Sequence, residues 1–212
     1  MTSRDSRKAF LNSFLKPQRL KAGAGYYILD ERARLLQLIR EKSYQERPVV
    51  LSSGKTSSFY FDGKQTTLNP EGAYLTGKLF YRKIKNFPLP VDAVGGMTLG
   101  ADPIITGIAI VSFLEGDPLP SFIIRKEPKK HGTCRWIEGM ANVPRKAKVA
   151  IVEDVVTTGA TTLQAISRAE EEGLQVVQVL ALIDREEGGS QHLSDKGYRL
   201  ESLFTLADFK KR

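Results

Sequence analysis

The chain has 212 residues, 41% hydrophobic and 26% charged, which is the balance of a globular protein with mass enough for one ordinary domain and a real core. Its single cysteine, Cys134, excludes an internal disulfide and a multi-cysteine zinc site, and two histidines, His131 and His192, are too few for a protein-built transition-metal cage. A net charge of +8 suits a polyanionic partner, either nucleic acid or a small phosphorylated molecule; no apolar run reaches membrane-spanning length, and a reducing cytoplasm is expected.

Residues 1–29 stand apart as a basic N-terminal extension, with Arg4, Arg7, Lys8, Lys16, Arg19 and Lys21 against one acid, Asp5. A solvated extension, helical over Ser6 to Leu15, is the simplest reading; a transit peptide shares this composition, whereas secretion would need an apolar core that is missing. From Glu31 the spacing of Ala33, Leu35, Leu36, Leu38 and Ile39 predicts a helix. Val49 to Leu51 reads as a short strand, Ser52 to Ser58 as a turn and Phe59 to Asp62 as a second strand. Pro70 and Glu71 open a helix to about Ile84, and Val91 to Val94 is the first central strand. A glycine-rich turn, Gly95 to Asp102, leads into a helix from Pro103 to Phe113. Ser121 to Arg125 is the next strand, Glu127 to Gly139 a polar loop, and Val149 to Val152 an apolar strand. A helix over Leu163 to Glu172, a strand over Val176 to Ile183, and a strand with a helical turn over Tyr198 to Phe209 complete the chain. Strands alternating with helices imply a parallel sheet with right-handed crossovers and ligands at the strand C-terminal ends. Four loops would meet there: 95–102, 125–132, 153–161 and 184–185.

The stretch from Val149 to Thr162 carries the most chemistry. An apolar strand delivers two carboxylates, Glu153 and Asp154, then Thr157, Thr158, Gly159, Ala160 and Thr161 at a helix start. Free N–H groups and the helix dipole make such a turn an anion site. Carboxylates beside it would repel an anion, so they make sense as acceptors for sugar hydroxyls or as partners of a metal ion. The implied ligand carries both a phosphate and a ribose. A surface turn capped by threonine is the plain alternative. Neither a Walker lysine nor a G-x-G-x-x-G pattern is present. The second feature is Arg125-Lys126-Glu127-Pro128-Lys129-Lys130-His131-Gly132. Such a run is usually a solvated loop, but at a strand end beside a phosphate site it can hold pyrophosphate, with His131 available for proton transfer. Its length and polarity suit a lid.

Glu153 to Thr161 resembles the phosphoribosyl-pyrophosphate (PRPP) signature of type I phosphoribosyltransferases. With Ser53-Gly54-Lys55-Thr56-Ser57, Phe59-Tyr60-Phe61-Asp62, the 125–132 loop and Ile183-Asp184-Arg185 in that order, the chain is similar to the orotate phosphoribosyltransferase family from about Glu31 to Arg185 and beyond. The resemblance implies an α/β type I phosphoribosyltransferase fold, with a central, mostly parallel sheet flanked by helices and a flexible catalytic loop. The domain would span 30–212, with a small N-terminal hood formed mainly by about 30–70 and C-terminal residues. It implies transfer of the phosphoribosyl group of PRPP to orotate, giving orotidine 5′-monophosphate and pyrophosphate in pyrimidine synthesis. PRPP would be bound by Arg125, Lys126, Lys129, His131, Glu153, Asp154, Val155, Val156, Thr157, Thr158, Gly159, Ala160 and Thr161, with Lys129, His131 and Asp154 catalytic. Tyr60 and Phe61 would meet the orotate ring, and Thr157 and Arg185 its carboxylate. Core packing of Tyr60 and Phe61, and an ion pair of Arg185 with Asp184, are the structural alternatives. Mg²⁺ would be held mainly by PRPP, with no metal ligand from the protein. A homodimer sharing active sites through the 126–139 loop is implied, with no nucleic-acid or membrane partner. Two positions depart from the family pattern: Ser52 stands where many members have lysine, and Met97 to Gly100 supplies none. A relative acting on a purine or uracil, and a PRPP-sensing regulator that binds nucleic acid, are the rival readings.

Overall fold

The computed structural model describes residues 30–46, 49–50, 56–57, 59–128 and 136–210. The expectations for the N-terminal extension, for most of the 52–58 turn, and for Lys129 and His131 lie outside these residues. Helix α1 (Glu31–Lys42) starts where the Asp30 side chain accepts a hydrogen bond from the Arg32 amide, and it buries Leu35, Leu38 and Ile39. Four two-residue strands follow: β1 (Tyr44–Gln45), β2 (Val49–Val50), β3 (Thr56–Ser57) and β4 (Tyr60–Phe61), paired antiparallel as β1 with β4 and β2 with β3. A single turn, α2 (Lys64–Thr67), precedes α3 (Pro70–Lys85), which is capped by Asn69 accepting from the Gly72 amide.

The remaining elements are β5 (Ala93–Met97), α4 (Asp102–Leu114), β6 (Ser121–Ile124), β7 (Ile137–Glu138), β8 (Lys148–Val156), α5 (Ala160–Glu171), β9 (Gln175–Asp184), α6 (Gly189–Ser194), β10 (Leu200–Thr205) and α7 (Leu206–Lys210). The main sheet has the order β10-β9-β8-β5-β6-β7; every neighbour pair is parallel except β6 with β7. The chain leaves β5 toward β6 on one side and later returns at β8 to build outward through β9 and β10. The order therefore reverses between β5 and β8, and an open α/β sheet has its crevice at that switch point.

Strand β8 is buried on both faces. Ala150 and Val152 join a core with Leu35, Phe80, Ile104 and Ile108, while Val149 and Ile151 join another with Phe122, Ile166 and Leu193. Helices thus cover both faces of the sheet, as the alternation of elements predicts.

Three boundaries differ from the sequence reading. Gly95 and Gly96 belong to β5, leaving only residues 98–101 as the turn. A Cβ on Gly95 would lie 2.2 Å from the Phe122 ring, and one on Gly96 2.3 Å from the Val152 carbonyl. These glycines serve close packing rather than turn geometry. Strand β8 does not end before the acids, because its pairing with β9 continues through Glu153 with Ala181 and Val155 with Ile183 to Val156 with Asp184. The edge strand β7 lies inside the segment read as a polar loop; a two-residue strand leaves no periodicity to detect.

The C-terminal tail clamps the N-terminal segment. The Phe61 ring centroid lies 4.8 Å from Phe209 and 5.0 Å from Tyr44, and Phe204 lies 6.2 Å from Phe209. Arg32 donates to the Leu203 carbonyl at 3.0 Å and caps the Phe204 ring. Phe209→Ala would empty the centre of this cluster, costing about 3 kcal/mol and lowering Tm by roughly 6–12 °C in a thermal melt.

Candidate active site

The site is built on the C-terminal ends of β5 and β8. Glu153 and Asp154 are the sixth and seventh residues of β8; Thr157 and Thr158 form the turn, and Gly159 (φ +77°) lets the chain enter α5 at Ala160. The Val155 amide donates to Asp154 Oδ1 at 2.8 Å. Glu153 is 6% exposed, and burial together with the neighbouring Asp154 carboxylate pushes its carboxyl well above the usual range. Lys126 works in the opposite direction, which places its charge within reach of this acid.

Asp154 is held between two glycine loops. A Cβ on Gly100 would sit 2.5 Å from Asp154 Oδ1, and one on Gly63 would sit 3.1 Å from Oδ2. The 98–101 turn therefore approaches Asp154 as backbone alone. Thr98 Oγ1 donates to Asp102 Oδ2 at 2.7 Å and the Thr98 amide donates to the Ile124 carbonyl at 2.9 Å, so the turn is pinned on both sides. Lys64 follows Gly63. Its ammonium pairs with Asp62 at 3.0 Å, and that hydrogen bond, helped by the Asp154 charge, holds it protonated above the ordinary lysine range. Gly100 belongs to the glycine-rich turn that the sequence marks, whereas Gly63 and Lys64 have no signal beyond the Asp-Gly-Lys string after Phe61.

Three of the four expected loops come together here, joined by the 62–64 segment. Arg185 anchors the fourth, since its amide donates to the Val156 carbonyl at 2.9 Å. Its guanidinium is 5% exposed, lies 4.8 Å from the Phe59 ring centroid, and pairs with Glu187 at 2.7 Å. The alternative of an ion pair with Asp184 is not what forms; Asp184 Oδ1 accepts from the Glu186 amide, and Glu187 pairs with the arginine. Phe61 directs its ring into the aromatic cluster, so it packs in the core and only its backbone faces elsewhere, while Tyr60 beside it is half-buried. Arg125 is tied to Glu138 of β7 at 3.2 Å and to the Glu127 carbonyl at 3.2 Å. Beside it, Thr98, Asp102, Ile123, Lys126 and Glu127 line a cavity of about 460 Å³. A larger hollow of about 630 Å³, lined by Lys83, Gln178 and Arg199 among others, lies at the opposite end of β9 and β10, away from the acids. The smaller cavity opens on the 98–102 and 125–127 loops, with the Arg125 and Lys126 charges in its wall. Thr158, Ala160 and Thr161 are exposed and Thr157 is half-buried, so the turn is open to a ligand. Among the described residues no group of three or more His, Cys, Asp or Glu is arranged to hold a metal ion, and no helix is long and apolar enough to cross a membrane.

The arrangement offers paired carboxylates, a backbone anion cradle and a cation-bearing cavity within one crevice. No family model matches the chain. It is 48% identical over 181 residues to an orotate phosphoribosyltransferase of Aquifex aeolicus, covering 84% of this chain and 97% of that protein. A Nostoc protein of the same name is 44% identical over 181 residues, covering 85% and 86%. Among solved structures, the Mycobacterium tuberculosis orotate phosphoribosyltransferase in complex with Fe(III) dicitrate superposes with a TM-score of 0.74 at 35% identity, covering 85% of this chain and 99% of that one. The same enzyme in complex with PRPP gives 0.70 at 33% identity, covering 84% and 98%. With its signature strand, its crevice and these likenesses along most of its length, the chain belongs to the orotate phosphoribosyltransferase family.

Proposed function

We propose that the protein transfers the phosphoribosyl group of PRPP to orotate, giving orotidine 5′-monophosphate and pyrophosphate for pyrimidine nucleotide synthesis. The observation that carries this reading is the Glu153–Asp154 pair set at the entrance of the 157–161 turn. Two adjacent acids, one of them buried and hard to ionise, call for hydrogen-bond donors, and the 2- and 3-hydroxyls of a ribose supply them. The amides at the α5 N-terminus then hold the 5′-phosphate.

In this reading bond breaking at the anomeric carbon leads, building positive charge on the ribose and negative charge on the departing pyrophosphate. No side-chain nucleophile is needed; the residues position the reactants and stabilise charge. Lys126, with Lys129 and His131 from the same loop, takes the pyrophosphate side, and Arg125 joins them by exchanging Glu138 for phosphate oxygens. Tyr60, the Phe61 backbone, Thr157 and Arg185 take orotate. Arg185 reads its carboxylate by giving up Glu187, one carboxylate for another. Bound Mg²⁺ would supply charge neutralisation at the pyrophosphate oxygens. The acids of this chain fit its neighbourhood as acceptors for hydroxyls and metal-bound waters.

The exposed Leu99, Ile110, Phe113 and Leu114 around α4, with Leu68 and Tyr74 on the adjoining segments, support a homodimer whose 126–139 loops cross between sites. The hood would be the tail-clamped segment of about 30–70, and the compartment the cytoplasm.

Loss of orotate absorbance on adding PRPP and Mg²⁺, with uracil and hypoxanthine as alternative bases and EDTA as the metal control, tests the reading. Turnover of orotate alone, abolished by EDTA, is expected; no turnover together with salt-dependent binding of nucleic acid would reverse it. Lys129→Ala should lower kcat by roughly 10²–10³-fold. Mixing it with Asp154→Asn protein should recover activity in hybrid dimers, and no recovery after verified subunit exchange would rule out a shared loop.

The raised carboxyl of Glu153 carries a further prediction. The folded state binds this proton more tightly than the unfolded chain, so unliganded stability falls as pH rises from the usual carboxylate range through the elevated value. Glu153→Gln should therefore melt above wild type at pH 8 without ligand, converge with it toward pH 4, and bind PRPP more weakly. Melting curves across that range, with and without PRPP, check all three.

A further inference from the structure

The turn proposed to hold the 5′-phosphate is backed by a second element that the reaction chemistry does not use. Helix α6 is fixed in the core by Leu193, which is fully buried in the cluster with Ile166 and Phe122. From that anchor it presents two residues to the back of the turn. The first is Gly189, on which a Cβ would lie 2.6 Å from Val156 Cγ1, 2.8 Å from the Thr157 carbonyl oxygen and 3.1 Å from the Gly159 amide nitrogen. Reciprocally, a Cβ on Gly159 would meet the Gly189 carbonyl at 3.0 Å. Two glycine backbones thus touch, and the turn has no room to relax toward α6. The second is His192, whose Nδ1 lies 2.9 Å from the Thr158 carbonyl oxygen. A carbonyl only accepts, so Nδ1 carries the hydrogen and donates it. This bond engages the carbonyl side of the peptide linking Thr158 to Gly159, whose amide lies at the mouth of α5.

We propose that α6 sets the shape of the phosphate-binding turn, with His192 and Gly189 as positioning residues for PRPP that act through the 157–159 backbone. This rests on the reading of that turn as the 5′-phosphate cradle. The 5′-phosphate contacts are thereby assigned to uniform binding, made equally in the ground and transition states. Loss of such contacts raises KM and leaves kcat alone.

The test uses the full chain and probes PRPP and ribose 5-phosphate. His192→Ala should raise the PRPP KM and the ribose 5-phosphate Kd by about three- to tenfold, the scale of one hydrogen bond. The kcat and the orotate KM should stay within about twofold of wild type. His192→Asn places an amide N–H near the former Nδ1 and should restore binding, whereas His192→Gln, whose amide reaches the Nε2 position, should not. Gly189→Ala should weaken both phosphate ligands further, with its melting temperature recorded to separate misfolding from a displaced turn. Unchanged affinities in His192→Ala, or a loss that falls on kcat and is not rescued by asparagine, would overturn the proposal. A wild-type protein that is folded but binds neither ligand would overturn the phosphate cradle and this inference together.

Discussion

Two carboxylates on one strand end, packed under glycine backbone, set the terms for the rest of the site. Glu153 is buried and its neighbour Asp154 is approached closely by the backbone of Gly63 and Gly100, while the nearby charges of Lys126 and Lys64 act on the pair from a distance. Desolvation and like-charge repulsion make this an unfavourable place for two ionised acids. The sheet imposes it nonetheless, because β8 is paired with β9 on one side and β5 on the other, and its register carries the acids to the switch point. Hydrogen-bond donors or a cation brought to this pair would relieve a strain that the fold itself creates.

The cations around this pair are, for the most part, already engaged. Arg125 has Glu138, Arg185 has Glu187 and Lys64 has Asp62. An anionic ligand entering the crevice would exchange partners rather than bring charge to bare cations. The pairing with Glu187 keeps the buried Arg185 from being stranded without a counter-charge in the unliganded protein. It also makes recognition a contest between carboxylates, and the net gain depends on geometry more than on the number of charges.

Much of the fold was legible in the sequence because long, strongly patterned elements leave a clear trace. The α3 helix opened by Pro70 and Glu71, the apolar start of β8 and the β9 run all appear where their patterns place them, within a residue or two. Features decided by tertiary contact were not legible. Gly95 and Gly96 resemble a turn in isolation, and only the Phe122 ring and the Val152 carbonyl make them strand residues. Arg185 has Asp184 beside it in sequence, yet the backbone bends at Glu186 (φ +57°) and delivers Glu187 instead. Lys64 carried no signal beyond its place after Asp62 and Gly63, since its relevance comes from the approach of Asp154 across the crevice.

The reversal of strand order between β5 and β8 has a consequence for folding. The crevice draws on residues 62–64, 98–102, 125–126 and 153–161, with Arg185 tied to the end of β8, so no contiguous stretch of chain contains the whole of it. Strand β8 is paired with β5 over Val149–Ile151 and with β9 as far as Val156, so the turn that follows is placed by both neighbours of its strand. A ligand that bridges these segments therefore recognises the completed sheet and nothing less. Substrate concentration then acts as a conformational weight, adding stability as RT ln(1 + [L]/Kd) to the fully assembled chain alone. Partially formed sheets, which lack the assembled crevice, gain nothing from it.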